Sequence, residues 1–366
     1  MKQPNNLIGA CLSASLLAAC GGGNNGLPTS TILAPSQQMQ RALAPSASHQ
    51  VGKNAVIERV LYSFCQIASC VDGANPSAGL TNVNGTLYGT TRYGGDAFDG
   101  TVFSITASGK ETVLHSFGSG SDGANPYAGL LNVNGTLYGT TENGSISGCG
   151  GLGCGTVFSI TTAGTEKVLY SFAGSPDGGN PLAGLANVRG TLYGVTRAGG
   201  ANSFGTIFSI TKSGTYTRLY SFAKGRDGCP FAGLINVRGV LYGTTYGCNQ
   251  INGHGTVFKI TTSGTETLLY SFVGGSDGAH PSAGLTDVGG VLYGTTDYGG
   301  TGSCLDSYRQ LGCGTVFKIT TAGTETVLYS FKGGTDGANP EARLIAVNGR
   351  LYGTTSYGGA GCKAKG

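Results

Sequence analysis

Charged residues, methionine and tryptophan are scarce in this chain of 366 residues, and the shortages exclude whole classes of protein. Only 11% of the residues are charged, against about 25% in ordinary globular proteins. Helical bundles and coiled coils need Glu, Lys and Leu in quantity, so they are excluded. The net charge of +4 is spread thinly and lacks the basic patch of a nucleic-acid-binding protein. An apolar fraction of 39% is too high for a disordered chain.

Long apolar runs are also missing. The apolar run at 7–19 has 13 residues and falls short of the ~20 that a membrane-spanning helix requires. With Lys2 before it, the run is typical of a signal peptide over residues 1–19. The four residues ending in Cys20, Leu-Ala-Ala-Cys, resemble the lipobox of bacterial lipoproteins, which implies that Cys20 is acylated. By the same resemblance, Gly21 after the cysteine favours a location at the outer membrane. The alternative to a lipoprotein is an ordinary signal peptide whose cleavage site precedes a cysteine.

Glycine is abundant instead, with 68 residues, and proline adds 11. Residues 20–53 contain Gly, Asn, Pro, Ser, Gln and Ala with almost no periodicity, which is typical of a flexible tether. The folded domain is therefore predicted to span residues 54–366.

Three short phrases recur in that domain, in fixed order and about every 50 residues. Leu-Tyr-Gly begins at Leu87, Leu137, Leu192, Leu241, Leu292 and Leu351. Gly-Thr-(Val/Ile)-Phe begins at Gly100, Gly155, Gly205, Gly255 and Gly314. (Tyr/His)-Ser-Phe ends at Phe64, Phe117, Phe172, Phe222, Phe272 and Phe331. Such self-similarity indicates a repeat architecture.

Each repeat unit predicts four antiparallel strands. In the first full unit the strands are expected at 80–83, 86–91, 101–106 and 111–117. Asn84-Gly85 suits the tight two-residue hairpin between the first two strands. Four strands in about 50 residues are typical of one propeller blade, and stacked blades bury both of their faces. The prediction is an all-β, six-bladed β-propeller-like ring of four-stranded antiparallel blades. A parallel β-solenoid is the alternative, but it cannot use these hairpins.

The last blade is expected to be incomplete. Residues 344–355 supply its first two strands, and the segment 58–64 is a lone fourth strand. We expect the N- and C-terminal strands to close the ring together. There are two alternatives to this closure: the sequence is truncated, or the tether supplies a substitute strand at 29–33. An exposed strand edge would otherwise invite pairing with another chain.

The repeated phrases resemble those of a known family. Leu-Tyr-Gly-Thr-Thr at 87–91, Gly-Thr-Val-Phe at 100–103 and Asp-Gly-Ala-Asn-Pro at 72–76 are similar to the GloVer tandem repeat of choice-of-anchor bacterial surface proteins. The resemblance extends over residues 58–355, with Val195 replacing a threonine. It implies a surface location and carries no established activity. Kelch repeats have a similar length, but they carry tryptophan, which this chain lacks.

The cysteines favour an oxidising compartment. Three pairs of cysteines lie close together within single loops. In a fourth pair one cysteine lies in the loop between two blades and the other in the loop between the second and third strands, and a four-stranded meander brings these two loops to the same face. The predicted disulfides are Cys65 with Cys70, Cys149 with Cys154, Cys229 with Cys248 and Cys304 with Cys313. Cys362 is left over. A zinc site is the competing interpretation, but no Cys-x-x-Cys pair occurs. We expect no metal and no cofactor.

In every inter-blade loop an aspartate precedes a glycine. A residue that recurs in every blade is best explained by a structural role in the blade. These residues are Asp72, Asp122, Asp177, Asp227, Asp277 and Asp336. An aspartate side chain can accept backbone N–H bonds in a turn. Calcium is the alternative, but it requires six to eight oxygen ligands and each loop offers one carboxylate.

Function is expected in the variable loops between the second and third strands, which share one face. The candidate ligand-binding residues are Tyr93, Asp96, Asp99, Arg197, Tyr246, Asn249, Asp297, Tyr298, Asp306, Tyr308 and Arg309. This mixture can stack on sugar rings and hydrogen-bond hydroxyls. Ordinary solvated loop composition is the alternative interpretation.

Catalytic signatures are scarce, since the four histidines suggest no triad. The prediction is a lipid-anchored extracytoplasmic protein that binds or scaffolds at the cell envelope, on polysaccharide or a protein partner. Its partners are the membrane, through the N-terminal lipid, and that ligand, with no nucleic acid. An enzyme acting on polysaccharide is the alternative, with Asp96 and Asp99, or Asp297 and Asp306, as paired carboxylates. A degenerate gene product without function is a third possibility.

Overall fold

The computed structural model describes residues 59–118, 120–145, 148–223, 228–248, 253–304 and 312–359. The described residues from Leu61 onward belong to one compact unit. The predicted signal peptide at 1–19, the lipidation site Cys20, the tether at 20–53 and Cys362 lie outside the described residues. No helix in the described part of the chain is long and apolar enough to cross a membrane.

The described chain is all-β, which confirms the predicted fold class. Six antiparallel sheets follow one another along the chain, and we call them blades 1 to 6. Blades 1 to 5 each have four strands joined in sequence order, while blade 6 has two. Helical structure among the described residues is confined to 3-10 turns at Ala68–Cys70, Cys149–Gly151, Gly275–Asp277 and Gly334–Asp336.

The strands have these bounds. Blade 1 contains β1 (Thr81–Val83), β2 (Thr86–Thr91), β3 (Thr101–Ile105) and β4 (Glu111–Ser116). Blade 2 contains β5 (Leu131–Val133), β6 (Thr136–Thr141), β7 (Thr156–Thr161) and β8 (Glu166–Ser171). Blade 3 contains β9 (Ala186–Val188), β10 (Thr191–Thr196), β11 (Thr206–Ile210) and β12 (Tyr216–Ser221). Blade 4 contains β13 (Ile235–Val237), β14 (Val240–Thr245), β15 (Thr256–Ile260) and β16 (Glu266–Ser271). Blade 5 contains β17 (Thr286–Val288), β18 (Val291–Thr296), β19 (Thr315–Thr320) and β20 (Glu325–Ser330), and blade 6 contains β21 (Ile345–Val347) and β22 (Arg350–Tyr352).

The hairpin between the first two strands of each blade follows from its turn residues. Asn84 and Gly85 have φ angles of 51° and 85°, and two positive φ angles define the type I′ turn that matches strand twist. The Asn82 side chain accepts a 3.0 Å hydrogen bond from the Gly85 N–H, which closes the turn. The other five turns repeat the two positive φ angles at Asn134-Gly135, Arg189-Gly190, Arg238-Gly239, Gly289-Gly290 and Asn348-Gly349.

The hydrophobic core lies between blades rather than within them. Each cluster of buried residues draws side chains from two consecutive blades. Phe117 follows β4 of blade 1, and its ring meets that of Phe158 of blade 2 edge to face, with centroids 5.2 Å apart. Phe158 lies against Gly139, where a Cβ atom would approach the ring atom Cζ to 2.5 Å. Both faces of a blade that lies between two others are therefore buried. This burial explains why apolar and polar residues do not alternate cleanly along the strands.

One end of the blades carries two kinds of loop, which we call the loop end. The inter-blade loop forms a bridge with the loop after the second strand of the same blade. The bridges pair Ala74 with Tyr93, Ala124 with Asn143, Gly179 with Ala198, Ala279 with Tyr298 and Ala338 with Tyr357. The expected shared face of these loops is thus formed.

The first described residues pack as the fourth strand of a preceding blade would. A Cβ atom on Gly109 would meet the Leu61 carbonyl, as one on Gly164 would meet the Leu114 carbonyl. The Phe64 ring contacts Phe103 of blade 1 at 4.7 Å, edge to face. Residues 59–63 nevertheless form no strand ladder, and no described residue pairs with β22 on its far side.

Blade 6 also has an uncovered face. Ile345 and Tyr352 are 59% and 48% exposed. The corresponding Ile235 and Tyr242 of blade 4 are 6% and 5% exposed because blade 5 covers them.

Four disulfides stabilise the loops, and they are the four pairs that the cysteine spacing predicts. They join Cys65 to Cys70, Cys149 to Cys154, Cys229 to Cys248 and Cys304 to Cys313. Four disulfides are typical of a protein outside the reducing cytoplasm.

Candidate functional site

The recurring aspartates hold the inter-blade loops. Asp277 accepts a 2.6 Å hydrogen bond from the Tyr270 hydroxyl and a 2.8 Å bond from the Val273 N–H. Asp72, Asp177 and Asp336 repeat the arrangement with Tyr62, Tyr170 and Tyr329. His115 replaces the tyrosine at Asp122, at 3.2 Å. Asp227 lies outside the described residues. These contacts support the structural interpretation, since the carboxylates already accept bonds from the turn.

The inter-blade loops also join each blade to the one before it. Asn125 donates from its backbone N–H to Asp99 at 2.6 Å and from its side chain to the Arg92 carbonyl at 3.1 Å. Asn180 and Asn339 make the same side-chain contact. We call this contact the asparagine clamp. Because it recurs, it is part of the scaffold.

Two positions at the loop end change from blade to blade. The first follows the second strand, and we call it the strand-end position: Arg92, Glu142, Arg197, Tyr246, Asp297 and Ser356. The second follows the proline of the inter-blade loop, and we call it the loop position: Ser77, Tyr127, Leu182, Phe231, Ser282 and Glu341. Two strand-end residues contact the loop-position residue of the next blade, Arg92 at Tyr127 and Arg197 at Phe231, whereas Asp297 contacts Ser282 of its own blade. Variation on a constant scaffold is what a binding site requires.

The strongest cluster surrounds Arg92. Its guanidinium lies 5.2 Å from the ring centroid of Tyr93 and 5.1 Å from that of Tyr127, within the range of cation–π contacts. Glu142 of blade 2 forms a 2.8 Å ion pair with Arg92, and this pair fixes the guanidinium. Tyr93 and Tyr127 remain 39% and 40% exposed. Two accessible aromatic rings are thus held in fixed positions around one cation.

A second cluster runs across blades 3 to 5. The Arg197 guanidinium lies 4.9 Å from the Phe231 ring centroid, and the Phe231 ring lies 4.9 Å from that of Tyr246. His280 continues the row, 4.5 Å from Tyr246 and 5.9 Å from Tyr298. The His280 ring is buried and occupies the place that asparagine takes in the clamp. The row brings three predicted residues, Arg197, Tyr246 and Tyr298, to one side of the loop end.

Asp297 is buried, unlike Asp96 and Asp99, the other predicted carboxylates among the described residues. Its Oδ1 accepts a 2.5 Å hydrogen bond from the Ser282 hydroxyl. Burial raises the pKa of Asp297 well above its usual range; the Ser282 hydrogen bond opposes this shift, and the negative charge of Glu341 adds to it. Buried carboxyl groups with raised pKa values are found at catalytic sites as well as in scaffolds.

The remaining predicted residues are distributed unevenly. Asp96 is exposed, and its backbone N–H donates to the Ser116 hydroxyl at 3.1 Å. Asp99 is half-buried and contributes its carbonyl to the asparagine clamp. The other four predicted residues, Asn249, Asp306, Tyr308 and Arg309, lie outside the described residues.

Sequence reasoning missed several residues of the two clusters. They are Arg92, Tyr127, Glu142, Phe231 and His280. An alignment of the six repeats would have found them, because their columns vary while the neighbouring proline and glycine columns do not. Tyr127, Phe231 and His280 belong to the inter-blade loops, outside the loops in which function was expected, whereas Arg92 and Glu142 lie inside those loops and no local pattern distinguishes them.

A shallow depression of about 410 Å³ lies near the loop end of blade 3. Glycine, alanine and serine residues line most of it, together with Asn180 and the disulfide-bonded Cys149. These groups offer neither a nucleophile activated by a base nor a pair of carboxylates.

The model of the Gloeobacter/Verrucomicrobia repeat matches residues 53–153 and 148–308. No curated protein matches the sequence significantly.

Among solved structures, similarity extends to a gluconolactonase from Xanthomonas campestris, with 12% identity over 78% of this chain and 84% of that one, at a TM-score of 0.45. A luciferin-regenerating enzyme shares 16% identity over 70% and 78% of the two chains, at 0.41. The tricorn protease shares 14% identity over 76% of this chain and 25% of its own, at 0.44. The chain thus spans a quarter of the tricorn protease.

Proposed function

The chain belongs to the Gloeobacter/Verrucomicrobia repeat family, which confirms the resemblance of its repeated phrases, and we propose that it is a lipid-anchored binding protein of the bacterial cell envelope. In this proposal Cys20 carries the lipid, residues 20–53 are the tether, and the blades bind a ligand without catalysing a reaction. The outer membrane is the proposed location.

The observation that carries the binding proposal is the pair of exposed rings beside Arg92. Tyr93 and Tyr127 present accessible aromatic faces, and such faces stack on the apolar sides of sugar rings. The Arg92 guanidinium and the Glu142 carboxylate lie within the same cluster and can hydrogen-bond hydroxyl groups. We therefore propose an envelope polysaccharide as the ligand, with a protein partner as the other candidate.

The proposal is tested by binding of the purified chain to a panel of envelope polysaccharides. We expect one of them to bind, and the variants Tyr93→Ala and Tyr127→Ala each to weaken it on the order of tenfold. Tyr357→Ala is the matched control, because Tyr357 occupies the repeat position of Tyr93 in blade 6 and is 67% exposed. Equal effects of all three changes would contradict the proposed site.

The lipid anchor has its own test. Metabolic labelling with a palmitate analogue should mark the chain. The labelled chain should be found in the membrane fraction of the cells. Cys20→Ser should abolish the label, whereas Cys11→Ser, inside the predicted signal peptide, should leave it. A Cys20→Ser chain that keeps the label would contradict acylation at this residue.

A second candidate function is polysaccharide cleavage, and the observation that favours it is Asp297. A buried carboxyl with a raised pKa is suited to donate a proton to a leaving group. Release of reducing ends from a bound polysaccharide, abolished by Asp297→Asn, would support this function. Binding without release would support the non-catalytic proposal.

A further inference from the structure

Arg197 carries a charge at the loop end that no described residue balances. In blades 1 to 4 the strand-end and loop positions hold three charged residues, Arg92, Glu142 and Arg197. Arg92 and Glu142 neutralise each other through their 2.8 Å ion pair. Arg197 forms no ion pair with any described residue, and its contact is with the Phe231 ring. The positive charge that remains in this region is therefore available to a ligand.

The Arg197 guanidinium is nevertheless held in place. It lies over the Phe231 ring, 4.9 Å from the centroid, where a cation is attracted to the face of the ring. The Phe231 ring packs in turn on Tyr246, with centroids 4.9 Å apart, and Tyr246 packs on the buried His280. This row of rings fixes the surface on which the guanidinium rests, so less side-chain freedom is lost when a ligand binds.

The donors of this guanidinium suit a carboxylate. An arginine side chain has five N–H donors in one plane. Those of Arg197 make no hydrogen bond within the described part of the chain, and the residue is exposed to solvent. Two parallel N–H groups match the two oxygens of a carboxylate, and both hydrogen bonds are then charge-assisted. A hydroxyl group could accept one of these bonds, but it would leave the charge of Arg197 unbalanced.

The depression at the loop end of blade 3 lies beside the same stretch of chain. Ala198 and Gly199, which directly follow Arg197 in sequence, line this depression of about 410 Å³. Ser175 and Ser203 add hydroxyl groups to its wall. Hydroxyl groups both donate and accept hydrogen bonds, as the hydroxyls of a sugar do. The surroundings of Arg197 are thus suited to a sugar that carries a carboxylate.

We propose that the polysaccharide bound at the loop end is acidic, and that Arg197 binds the carboxylate of one of its uronic acid units. This inference rests on the proposed function, since it names the class of polysaccharide that the protein binds. The carboxylate accepts hydrogen bonds from the Arg197 guanidinium, and a neighbouring sugar unit occupies the depression. The rings of Tyr93 and Tyr127 stack on sugar units irrespective of their charge, so Arg197 supplies the selectivity for an acidic chain.

The test measures binding of the purified full chain to alginate, polygalacturonate and hyaluronate, each before and after chemical reduction of its carboxyl groups. Reduction converts each carboxylate into a neutral hydroxymethyl group and leaves the sugar backbone intact. We expect at least one acidic polymer to bind on the order of tenfold more tightly than its reduced form, as one charge-assisted contact at an exposed site would give. Absence of this preference in all three polymers would overturn the inference.

Three variants assign the preference to a residue. Arg197→Gln should remove it, so that the acidic and reduced polymers bind alike. The double variant Arg92→Gln, Glu142→Gln keeps the net charge and should weaken both forms to a similar degree. Lys212→Gln is the matched control for charge and should change neither, because Lys212 is exposed in the same blade but follows the opposite end of β11. A preference that survives Arg197→Gln, or that Lys212→Gln lowers equally, would overturn the role of Arg197.

The outcomes also separate this inference from the proposed function. Suppose that a neutral envelope polysaccharide binds through Tyr93 and Tyr127 and that no acidic polymer is preferred. The inference would then be overturned, while the proposed function would stand. Absence of binding to every neutral and acidic polysaccharide would overturn both.

Discussion

His280 Nδ1 lies 2.8 Å from the Tyr246 carbonyl oxygen, in the place where Asn125, Asn180 and Asn339 make the asparagine clamp. Because a carbonyl only accepts, the histidine carries its hydrogen on Nδ1 in this contact. A different side chain therefore makes the same bond between consecutive blades. The ring additionally packs on Tyr246, with centroids 4.5 Å apart.

This relationship predicts a smaller loss of stability for one substitution of His280 than for another. His280→Asn keeps a donor for the Tyr246 carbonyl and should cost less than about 1 kcal/mol of unfolding free energy. His280→Ala leaves that carbonyl without its donor and should cost about 1 to 3 kcal/mol. Chemical denaturation of the two variants measures the difference. Equal losses would show that ring packing, rather than the hydrogen bond, stabilises the contact.

Arg189 adopts a left-handed backbone, with φ at 50°, in a turn where blade 4 also has arginine and the other blades have asparagine or glycine. Residues with a Cβ are strained there, by roughly 1 kcal/mol or more. Arg189→Gly should therefore raise the melting temperature of the chain. Arg189→Ala removes the charge but keeps the Cβ, so no gain is expected from this control. A gain of the same size in both variants would assign the effect to charge instead of backbone strain.

Two equivalent glycines should respond differently to one added methyl group. A Cβ on Gly294 would approach Phe317 Cζ to 2.5 Å, whereas a Cβ on Gly353 meets only the end of the Leu344 side chain. Overpacking of a buried contact typically costs about 1 to 3 kcal/mol. Gly294→Ala should lower the unfolding free energy by that amount, and Gly353→Ala should leave it nearly unchanged. Similar losses in both variants would show that Gly353 is packed as tightly as Gly294.

Acidity should stabilise the blades through three repeated glutamates. Burial, with a smaller effect of the nearby aspartate, raises the pKa of Glu111, Glu166 and Glu325 to about 7. Each also has a buried Oε1 without a hydrogen-bond partner in the described structure. Between the unfolded pKa near 4.5 and the folded pKa near 7, the native state binds more protons than the unfolded state. Stability contributed by these groups therefore falls as pH rises through that window.

Thermal melts from pH 5 to pH 8 measure this dependence. Glu166→Gln stays neutral at every pH and should flatten the fall in melting temperature. Asp96→Asn is the control, since Asp96 is exposed. An unchanged slope in the Glu166→Gln variant would contradict the assignment.

The strands of the blades could be predicted from the sequence because their information is local. In blade 1 the predicted strands differ from the observed ones by at most one residue at an end, since β-branched runs and the Asn84-Gly85 turn fix them. The two clusters at the loop end could not be predicted in the same way. Arg92 and Tyr127 are 35 positions apart in sequence, and they meet because one blade is seated on the next. Contacts of that kind depend on the distance and angle between blades, which no single repeat specifies.

The N-terminal segment shows the same limit. The segment 58–64 is predicted as a lone fourth strand, and its Phe64 ring does pack on blade 1 as such a strand would. The ladder itself requires a neighbouring third strand, and residues 59–63 have none among the described residues. A strand phrase therefore specified the packing of these side chains but not their hydrogen bonding.

Among the described residues the asparagine clamps join only consecutive blades, and this arrangement determines how the unit would respond to a pulling force. Repeats held by nearest-neighbour contacts yield one at a time. A force applied at the C-terminal side would detach blade 6 first, because one of its faces is uncovered, and then the blades behind it in order. Each detached repeat of about 50 residues would lengthen the chain by roughly 170 Å. Under tension between its two ends, the unit would therefore extend stepwise and absorb work at each step.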